Sequence, residues 1–185
     1  VLSSGGAADA TAATANCAGN PNALGTARVL TVDMSTPRVG RKHFPATLPL
    51  AEKEVVLTFD DGPLPGPTNR ILDTLKAECV RATFFLLGRM TAKSPELARR
   101  ELAEGHTVGH HSYNHPLLGN MSPEKAMADI DRGFAADDTA LYGKSAAAPR
   151  TPFFRFPGFV SSQPLLDRLE ARNIVVLDRK STRLN

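Results

Sequence analysis

The sequence contains no tryptophan and only two cysteines among its 185 residues. With two cysteines and no CxxC pair, a structural zinc site built on cysteine is disfavoured. No apolar stretch approaches the roughly 20 residues that are needed to cross a bilayer, so the sequence predicts no transmembrane segment. The net charge of +3 is small and the basic residues are scattered, which argues against nucleic-acid binding.

The two cysteines, Cys17 and Cys79, leave two interpretations open. In an oxidising compartment they form one disulfide that ties the N-terminal tail to the domain. Otherwise Cys79 ends the apolar face of a helix and packs there. Residues 1–24 are rich in Ala, Ser, Thr, Gly and Asn. This composition predicts either a flexible segment that follows a removed export signal or an arbitrary disordered terminus.

From residue 55 onward, strand-like and helix-like patterns alternate. The predicted strands are residues 55–59, 82–87, 107–109, 153–156 and 174–177. The predicted helices are residues 68–79, 94–105, 122–142 and 164–172. This alternation predicts an α/β fold whose parallel sheet is flanked by helices, as either a barrel or an open doubly wound sheet. In both architectures, functional sites form at the carboxyl ends of the strands.

Two adjacent acids, Asp60 and Asp61, directly follow the first of these strands. An unpaired buried carboxylate costs several kcal/mol or shifts its pKa, and a cation between the acids and other ligands resolves that cost. Gly62 and Pro63 turn the chain at this point. A simple turn with solvated acids is the alternative interpretation.

Two histidines with a spacing of four, His111 and His115, follow the third predicted strand. This spacing places both imidazoles on one side of a helical turn. With one carboxylate they form a His₂Asp set that leaves metal positions for water and substrate. Together with the acid pair, both at strand ends, the histidines predict a metal site in which one acid binds the metal and the other acts as base.

The run T-F-D-D-G-P, followed by H-S-x-x-H-P and then by R-F-P-G, resembles the polysaccharide deacetylase family, also called the NodB-homology or carbohydrate esterase family 4 domain. The resemblance covers roughly residues 48–178, and it implies a distorted (β/α) barrel. It also implies a divalent metal cofactor, with Zn²⁺ expected and Co²⁺ or Ni²⁺ as alternatives. The implied activity is removal of acetyl groups from polysaccharides that contain N-acetylglucosamine.

Carried over position by position, the resemblance gives Asp60 the role of catalytic base and makes Asp61, His111 and His115 the metal ligands. Arg155 corresponds to the residue that orients and tunes the base. The backbone N–H of Gly158, which follows Pro157, corresponds to a donor that binds the oxyanion.

Two departures from the family pattern bear on the site. Gly158 stands where the third motif often ends in tyrosine, so an aromatic groove wall is lost while the backbone donor remains. His110 stands where the family often has asparagine, and we expect it to be a packed residue beside the metal site rather than a fourth ligand. His43 and His106 are also expected to be packed residues, because nothing nearby in the sequence gives them partners.

Two further family motifs, an acidic stretch and a strand that ends in the general-acid histidine, are not found in the sequence. We therefore expect that later strands are missing, that residues 153–156 or 174–177 form an exposed edge, and that turnover is weak. The expected organisation is an N-terminal extension over residues 1–50, partly flexible, an incomplete deacetylase domain over residues 51–178, and a non-native tail over residues 179–185.

The expected protein is a monomer, periplasmic or secreted, that acts on a polysaccharide. An acetyl-xylan-type esterase and an inactive truncated carbohydrate-binding protein remain open as alternatives.

Overall fold

The computed structural model describes residues 2–4, 17 and 19–179 of the chain. Its strands, in chain order, are β1 (Leu2–Ser4), β2 (Leu30–Val32), β3 (Arg38–Val39), β4 (Thr58–Asp60), β5 (Thr83–Leu86), β6 (Thr107–His110), β7 (Phe153–Phe154) and β8 (Val175–Leu177). Its α-helices are α1 (Pro67–Ala77), α2 (Gly88–Lys93), α3 (Pro95–Ala103), α4 (Pro123–Tyr142) and α5 (Gln163–Glu170). Short 3₁₀ turns lie at Leu118–Asn120 and Pro157–Phe159.

Six of these strands form one all-parallel sheet in the order β3-β8-β7-β6-β5-β4. The sheet is an open half-barrel, and β3 and β4 are its two edges within the described residues. The predicted α/β class with a barrel-type parallel sheet is confirmed. Because every strand runs in the same direction, the carboxyl ends of β4, β6 and β7 meet along one side of the sheet.

The expectation of an exposed edge at residues 153–156 or 174–177 is wrong. β3 pairs with β8 in parallel register, Arg38 opposite Val176, and the N–H of Val176 donates to the carbonyl of Pro37 at 2.8 Å. Residues 30–39, which the sequence assigned to an extension, therefore supply an edge strand. They also add Leu30, Val32 and Val39 to a buried cluster with Phe153 and Val175.

The helices cover the sheet with the apolar faces that their periodicity predicted. On α4, Ala126, Ile130 and Phe134 are buried, and they pack with Phe154 and Phe156 from the β7 segment. On α1, Leu72 and Leu75 pack against the strand residue Phe84. Burial of apolar area of this kind is the main stabilising term in folding.

The first predicted strand begins later than the sequence indicated. β4 starts at Thr58, while Val55 is 81% exposed and Leu57 is 41% exposed. Since β4 is an edge strand, its pairing with β5 covers only one side of the chain; the carbonyl of Leu57 still accepts the N–H of Thr83 at 3.0 Å, while its side chain stays exposed. Helix α2 was not predicted, because six residues are too few to show a helical period.

A disulfide joins Cys17 to Cys79, which settles the question that the sequence left open. Around this bond the carbonyls at the end of α1 are capped: Asn20 Nδ2 donates to the carbonyl of Ala77 at 3.1 Å, and the N–H of Gly25 donates to that of Glu78 at 2.9 Å. The predicted flexibility of residues 1–24 falls largely on residues 1, 5–16 and 18, and the predicted tail on residues 180–185, all outside the described residues. No helix in the described part of the chain is both long enough and apolar enough to cross a membrane.

Candidate metal centre and active site

The acid pair lies at the carboxyl end of β4, in a turn that bends sharply. Asp60 is the last residue of β4, and Asp61 follows with a positive φ of 71°. The peptide bond between Gly62 and Pro63 is cis. The carbonyl of Gly62 accepts the N–H of Leu87 at 2.9 Å, which fixes the turn to the end of β5. The carboxylate of Asp60 faces Arg155, whereas that of Asp61 faces the two histidines of the loop after β6.

The two histidines lie in a loop that follows β6, and the expected helical turn is wrong. Ser112 and His115 have φ values of 69° and 66°, outside the helical region. The N–H of His115 donates to Ser112 Oγ at 3.1 Å and closes this turn. The loop nevertheless brings the two rings to a centroid distance of 5.0 Å. His111 and His115 thus meet through a turn, as the predicted site requires.

Asp61 joins these histidines to form a three-residue group. Asp61 Oδ1 lies 3.5 Å from His111 Nε2 and 3.2 Å from His115 Nε2, and one ligand atom from each residue lies within 4.8 Å of the others. Two imidazole nitrogens and one carboxylate oxygen are a donor set that Zn²⁺ and similar ions accept, and such separations suit atoms placed about 2.0–2.2 Å from a shared ion. The group can therefore hold a divalent metal.

The surroundings of His111 fit a metal ligand. Its ring is buried, and its Nδ1–H donates to the carbonyl of Arg155 at 2.7 Å. This bond leaves Nε2 as the nitrogen with a free lone pair, directed toward Asp61, which is the usual outer support of a histidine ligand. Burial lowers the pKa of His111, against the opposing charge of Asp60, so the ring favours its neutral form.

Arg155 lies directly after β7 and holds Asp60, as the resemblance implied. Its Nη1 donates to Asp60 Oδ1 at 2.8 Å and to Thr58 Oγ1 at 2.9 Å, and its Nε donates to the carbonyl of Leu177 at 3.1 Å. The guanidinium also stacks on Phe85, 4.0 Å from the ring centroid. Because the side chain of Arg155 is 6% exposed, its ion pair with Asp60 is shielded from solvent.

Pro157 and Gly158 lie in a 3₁₀ turn two and three residues after Arg155. Pro157 is buried, whereas Gly158 is exposed and has a φ of 60°. A larger residue at Gly158 is strained by the positive φ, whereas the contact of its Cβ with Leu117 Cδ2 at 2.8 Å is relieved by a shift of that exposed side chain. The turn exposes the Gly158 backbone at the same side of the sheet as the metal group, and its role as an oxyanion donor stays a prediction.

His110 points away from the metal group, into the layer between the sheet and α4. Its Nδ1 lies 2.7 Å from Asp137 Oδ2, and Thr91 Oγ1 lies 2.6 Å from Asp137 Oδ1. All three side chains are buried. The expectation that His110 is a packed residue behind the ligands is confirmed, while its partners Asp137 and Thr91 were not predicted.

Glu101 is a second buried acid that the sequence did not reveal. It is fully buried on α3, and one of its oxygens, Oε1, would lie 3.9 Å from a Cβ at Gly62. Neither carboxylate oxygen has a hydrogen-bond partner among the described residues. Burial, together with the charge of Asp137, raises the pKa of Glu101 to about 8. Helical periodicity places Glu101 on the same face of α3 as Leu97 and Ala98, so the sequence could have indicated that Glu101 is buried.

The other two histidines both have partners, contrary to expectation. His43 Nδ1 lies 2.8 Å from Asp178 Oδ2, and His106 Nδ1 accepts the N–H of Ala82 at 3.1 Å. Neither belongs to the metal-binding group.

These features define an α/β half-barrel protein with a His₂Asp metal-binding group beside an arginine-paired carboxylate. The family model for polysaccharide deacetylase matches residues 47–174, and the chain belongs to this family. That match contains the acid pair, the two histidines of the three-residue group and Arg155.

The chain is similar to proteins that are named as deacetylases of peptidoglycan or chitin. Peptidoglycan-N-acetylglucosamine deacetylase PgdA of Listeria monocytogenes is 41% identical over 99 residues, which cover 50% of this chain and 21% of PgdA. The structure of peptidoglycan deacetylase PdaC from Bacillus subtilis has a TM-score of 0.59 at 32% identity and covers 79% of this chain and 60% of that one. The chitin deacetylase of Colletotrichum lindemuthianum has a TM-score of 0.58 at 30% identity, with 66% and 54% covered. The matches thus span about a fifth of the length of PgdA and of PdaC, and well under half of the other curated relatives.

Proposed function

We propose that this protein is a metal-dependent hydrolase that removes acetyl groups from polysaccharides containing N-acetylglucosamine, such as peptidoglycan, chitin oligomers or an exopolysaccharide. The observation that carries the proposal is the juxtaposition at one side of the sheet. A three-residue metal-binding group lies next to Asp60, which Arg155 holds at 2.8 Å. Amide hydrolysis needs both parts, because a neutral water molecule attacks an acetamide very slowly without activation.

In this proposal, Asp61, His111 and His115 hold the metal. A bound divalent cation promotes ionisation of water near neutral pH and polarises the acetyl carbonyl. Zn²⁺ is the proposed ion, with Co²⁺ and Ni²⁺ as substitutes, because imidazole and carboxylate ligands suit all three. Asp61 is fit for this role since its side chain is 64% exposed and therefore open to an incoming ion.

Asp60 is the proposed base. A carboxylate that serves as a metal ligand is poorly placed to accept a proton as well, so the division of roles between neighbouring acids is chemically reasonable. Arg155 keeps Asp60 oriented through its bond to Oδ1, which leaves Oδ2 available to take the proton from water.

Gly158 is the proposed oxyanion donor, through its backbone N–H. Backbone donors that are fixed before the reaction stabilise the negative charge that develops on the carbonyl oxygen. Pro157, which is buried, fixes the start of the turn that presents Gly158.

We further propose that the protein works as a monomer in the periplasm or outside the cell. The disulfide between Cys17 and Cys79 supports an oxidising compartment. The relatives named above as peptidoglycan deacetylases support a cell-wall substrate.

Two isosteric variants, Asp60→Asn and Asp61→Asn, test the proposal. Acetate release from N-acetylglucosamine oligomers and from peptidoglycan is measured after reconstitution with Zn²⁺, beside metal content by elemental analysis. We expect Asp60→Asn to keep its metal and to lose about 100-fold or more in acetate release. Asp61→Asn is expected to lose the metal and the activity together. Equal metal content in Asp61→Asn and the unchanged protein would contradict the ligand assignment.

The same assay separates the alternatives. Acetate release from acetylated xylan in preference to the amide substrates would indicate the esterase. Stoichiometric metal without acetate release from any substrate would indicate a carbohydrate-binding protein.

A further inference from the structure

The two histidines of the metal-binding group belong to one loop, residues 111–115, which we call the histidine loop. Its middle is bound to a carboxylate of α4. Asp129 Oδ1 accepts the N–H of Tyr113 at 2.9 Å and that of Asn114 at 3.2 Å, and Asp129 Oδ2 accepts Asn114 Nδ2 at 2.9 Å. Hydrogen bonds to a charged acceptor are stronger than those to a neutral one. Asp129 is therefore a firm attachment for this part of the loop.

The same face of α4 is shaped to receive the loop. Arg132 and Gly133 follow Asp129 by three and four residues, a spacing that places all three on one side of the helix. The Arg132 guanidinium carbon lies 3.7 Å from the ring centroid of Tyr113. A Cβ at Gly133 would lie 2.7 Å from the carbonyl carbon of Ser112, so only glycine lets the helix approach the loop this closely.

The first half of the loop is held without help from α4. The N–H of His111 donates to the carbonyl of Leu86 at 2.8 Å, so this histidine is bound to the sheet itself. The first two residues of α2 donate their N–H groups to the carbonyls of Ser112 and Tyr113, at 3.0 and 3.2 Å. The side chain of His111 is only 3% exposed, so packing restrains its ring as well.

The second half of the loop depends on Asp129. The side chain of His115 is 34% exposed, and its N–H donates to Ser112 Oγ within the same loop. His115 also has a positive φ, a strained conformation that persists only where surrounding contacts hold the chain in place. The residue before it, Asn114, donates both its main-chain and its side-chain N–H groups to Asp129.

We propose that Asp129 is a positioning residue for the metal: by fixing the middle of the histidine loop, it holds the His115 imidazole where it shares a cation with Asp61 and His111. The proposal rests on the ligand assignment made under the proposed function and adds a fourth residue on which metal affinity depends. It implies that loss of Asp129 weakens metal binding by the folded protein, and that the effect is transmitted through His115.

The dissociation constant for Zn²⁺ alone, measured by competition with a chromophoric chelator, provides the test. Asp129→Ala removes the acceptor, and Asp129→Asn keeps its shape but loses the charge and one acceptor atom. Asp131→Ala is the matched control, because it removes an exposed carboxylate of the same helix that binds Arg172 at 2.6 Å. His115→Ala and the double variant with Asp129→Ala show whether the two residues act together. Circular dichroism establishes that each variant is folded.

We expect Asp129→Ala to raise the dissociation constant for Zn²⁺ about 10- to 100-fold, as for other groups that support metal ligands, and Asp129→Asn to raise it by at least about threefold. Asp131→Ala should stay within about twofold of the unchanged protein, and adding Asp129→Ala to His115→Ala should change the constant by less than about twofold. The visible spectrum of the Co²⁺-loaded protein should change in Asp129→Ala and not in Asp131→Ala. If Asp129→Ala does not fold, Asp129→Asn alone decides.

Dissociation constants within about twofold of the unchanged protein in the folded Asp129 variants would overturn the proposal and leave the proposed function standing. Equal effects of Asp129→Ala with and without His115 would overturn it too, since Asp129 would then not act through that histidine. Failure of the unchanged protein to bind Zn²⁺ would reject the ligand assignment and the proposal together. Weaker Zn²⁺ binding in the Asp129 variants, without acetate release by any of the proteins, would support the proposal and reject the proposed function.

Discussion

Glu101→Gln is expected to make the protein more stable at alkaline pH and to change its stability little at pH 5. Glu101 is completely buried, and no hydrogen bond to a described residue compensates its carboxylate. Loss of hydration, with a smaller contribution from Asp137, raises its pKa to about 8. The folded protein therefore keeps the proton of Glu101 over a pH range in which the unfolded chain has lost it.

The magnitude follows from the pKa difference. Between an ordinary value of 4.5 and a folded value of about 8, each unit corresponds to about 1.4 kcal/mol, so ionisation opposes folding by roughly 5 kcal/mol at most. Since the folded state binds the extra proton, stability falls as pH rises from 4.5 and levels off above pH 8. Glutamine has a similar shape and no titrating group, and so the variant escapes this loss.

Urea unfolding at pH 5, 7 and 9, with the disulfide intact, measures the effect. The free energy of unfolding of Glu101→Gln should exceed that of the unchanged protein by less than about 1 kcal/mol at pH 5 and by about 3 to 5 kcal/mol at pH 9. Glu96→Gln, at an exposed position in the first turn of the same helix, should change it by less than about 1 kcal/mol at each pH. A difference between Glu101→Gln and the unchanged protein that is constant with pH would refute the reasoning.

Two further substitutions test separate parts of the structure. Cys17→Ser opens a bond that spans 62 residues, and we expect it to lower the free energy of unfolding by about 2 to 4 kcal/mol. Unfolding with and without reductant checks this, because reduction should affect the unchanged protein and leave the variant as it is. Arg155→Lys keeps the positive charge but loses the fork that binds Asp60, Thr58 and Leu177 together. Acetate release is expected to fall about 10- to 100-fold with metal content unchanged; parallel loss of metal would show that Arg155 supports the ligands rather than Asp60.

The main part of the fold could be predicted because its elements repeat simple local patterns. Residues 82–87 form a continuous apolar run, and the strand β5 lies within it. Residues 122–142 carry Ser-Pro-Glu at the start and apolar side chains at helical spacing, and α4 occupies Pro123–Tyr142. In such segments local preference and burial agree, so the sequence alone carries the information.

The edge strand β3 could not be predicted for the opposite reason. It has only two residues, Arg38 and Val39, and it pairs with a strand near the far end of the chain. Nothing in a short segment next to proline shows which distant strand accepts its hydrogen bonds. The buried acids Glu101 and Asp137 were missed similarly, because a charged residue type predicts exposure unless its partners are known.

At the candidate site, the sequence predicted which residues lie close together but predicted the wrong backbone conformation. The spacing of His111 and His115 suggested a helix, in which both rings would lie on one face without strain. The chain instead bends through left-handed backbone at Ser112 and again at His115, conformations that cost roughly 1–3 kcal/mol each for residues other than glycine. Asp61, the third member of the group, also has positive φ.

The strained turn explains why the motif has a serine at position 112. Ser112 Oγ accepts the N–H of His115, so the hydroxyl stabilises the turn that brings the second imidazole to Asp61. A helix would have directed both rings along one axis, whereas this turn lets the ligands converge from two strand ends on one point. The motif therefore encodes the bend of the chain as well as the ligands, and for that reason its residue types predict the site better than its spacing predicts the backbone.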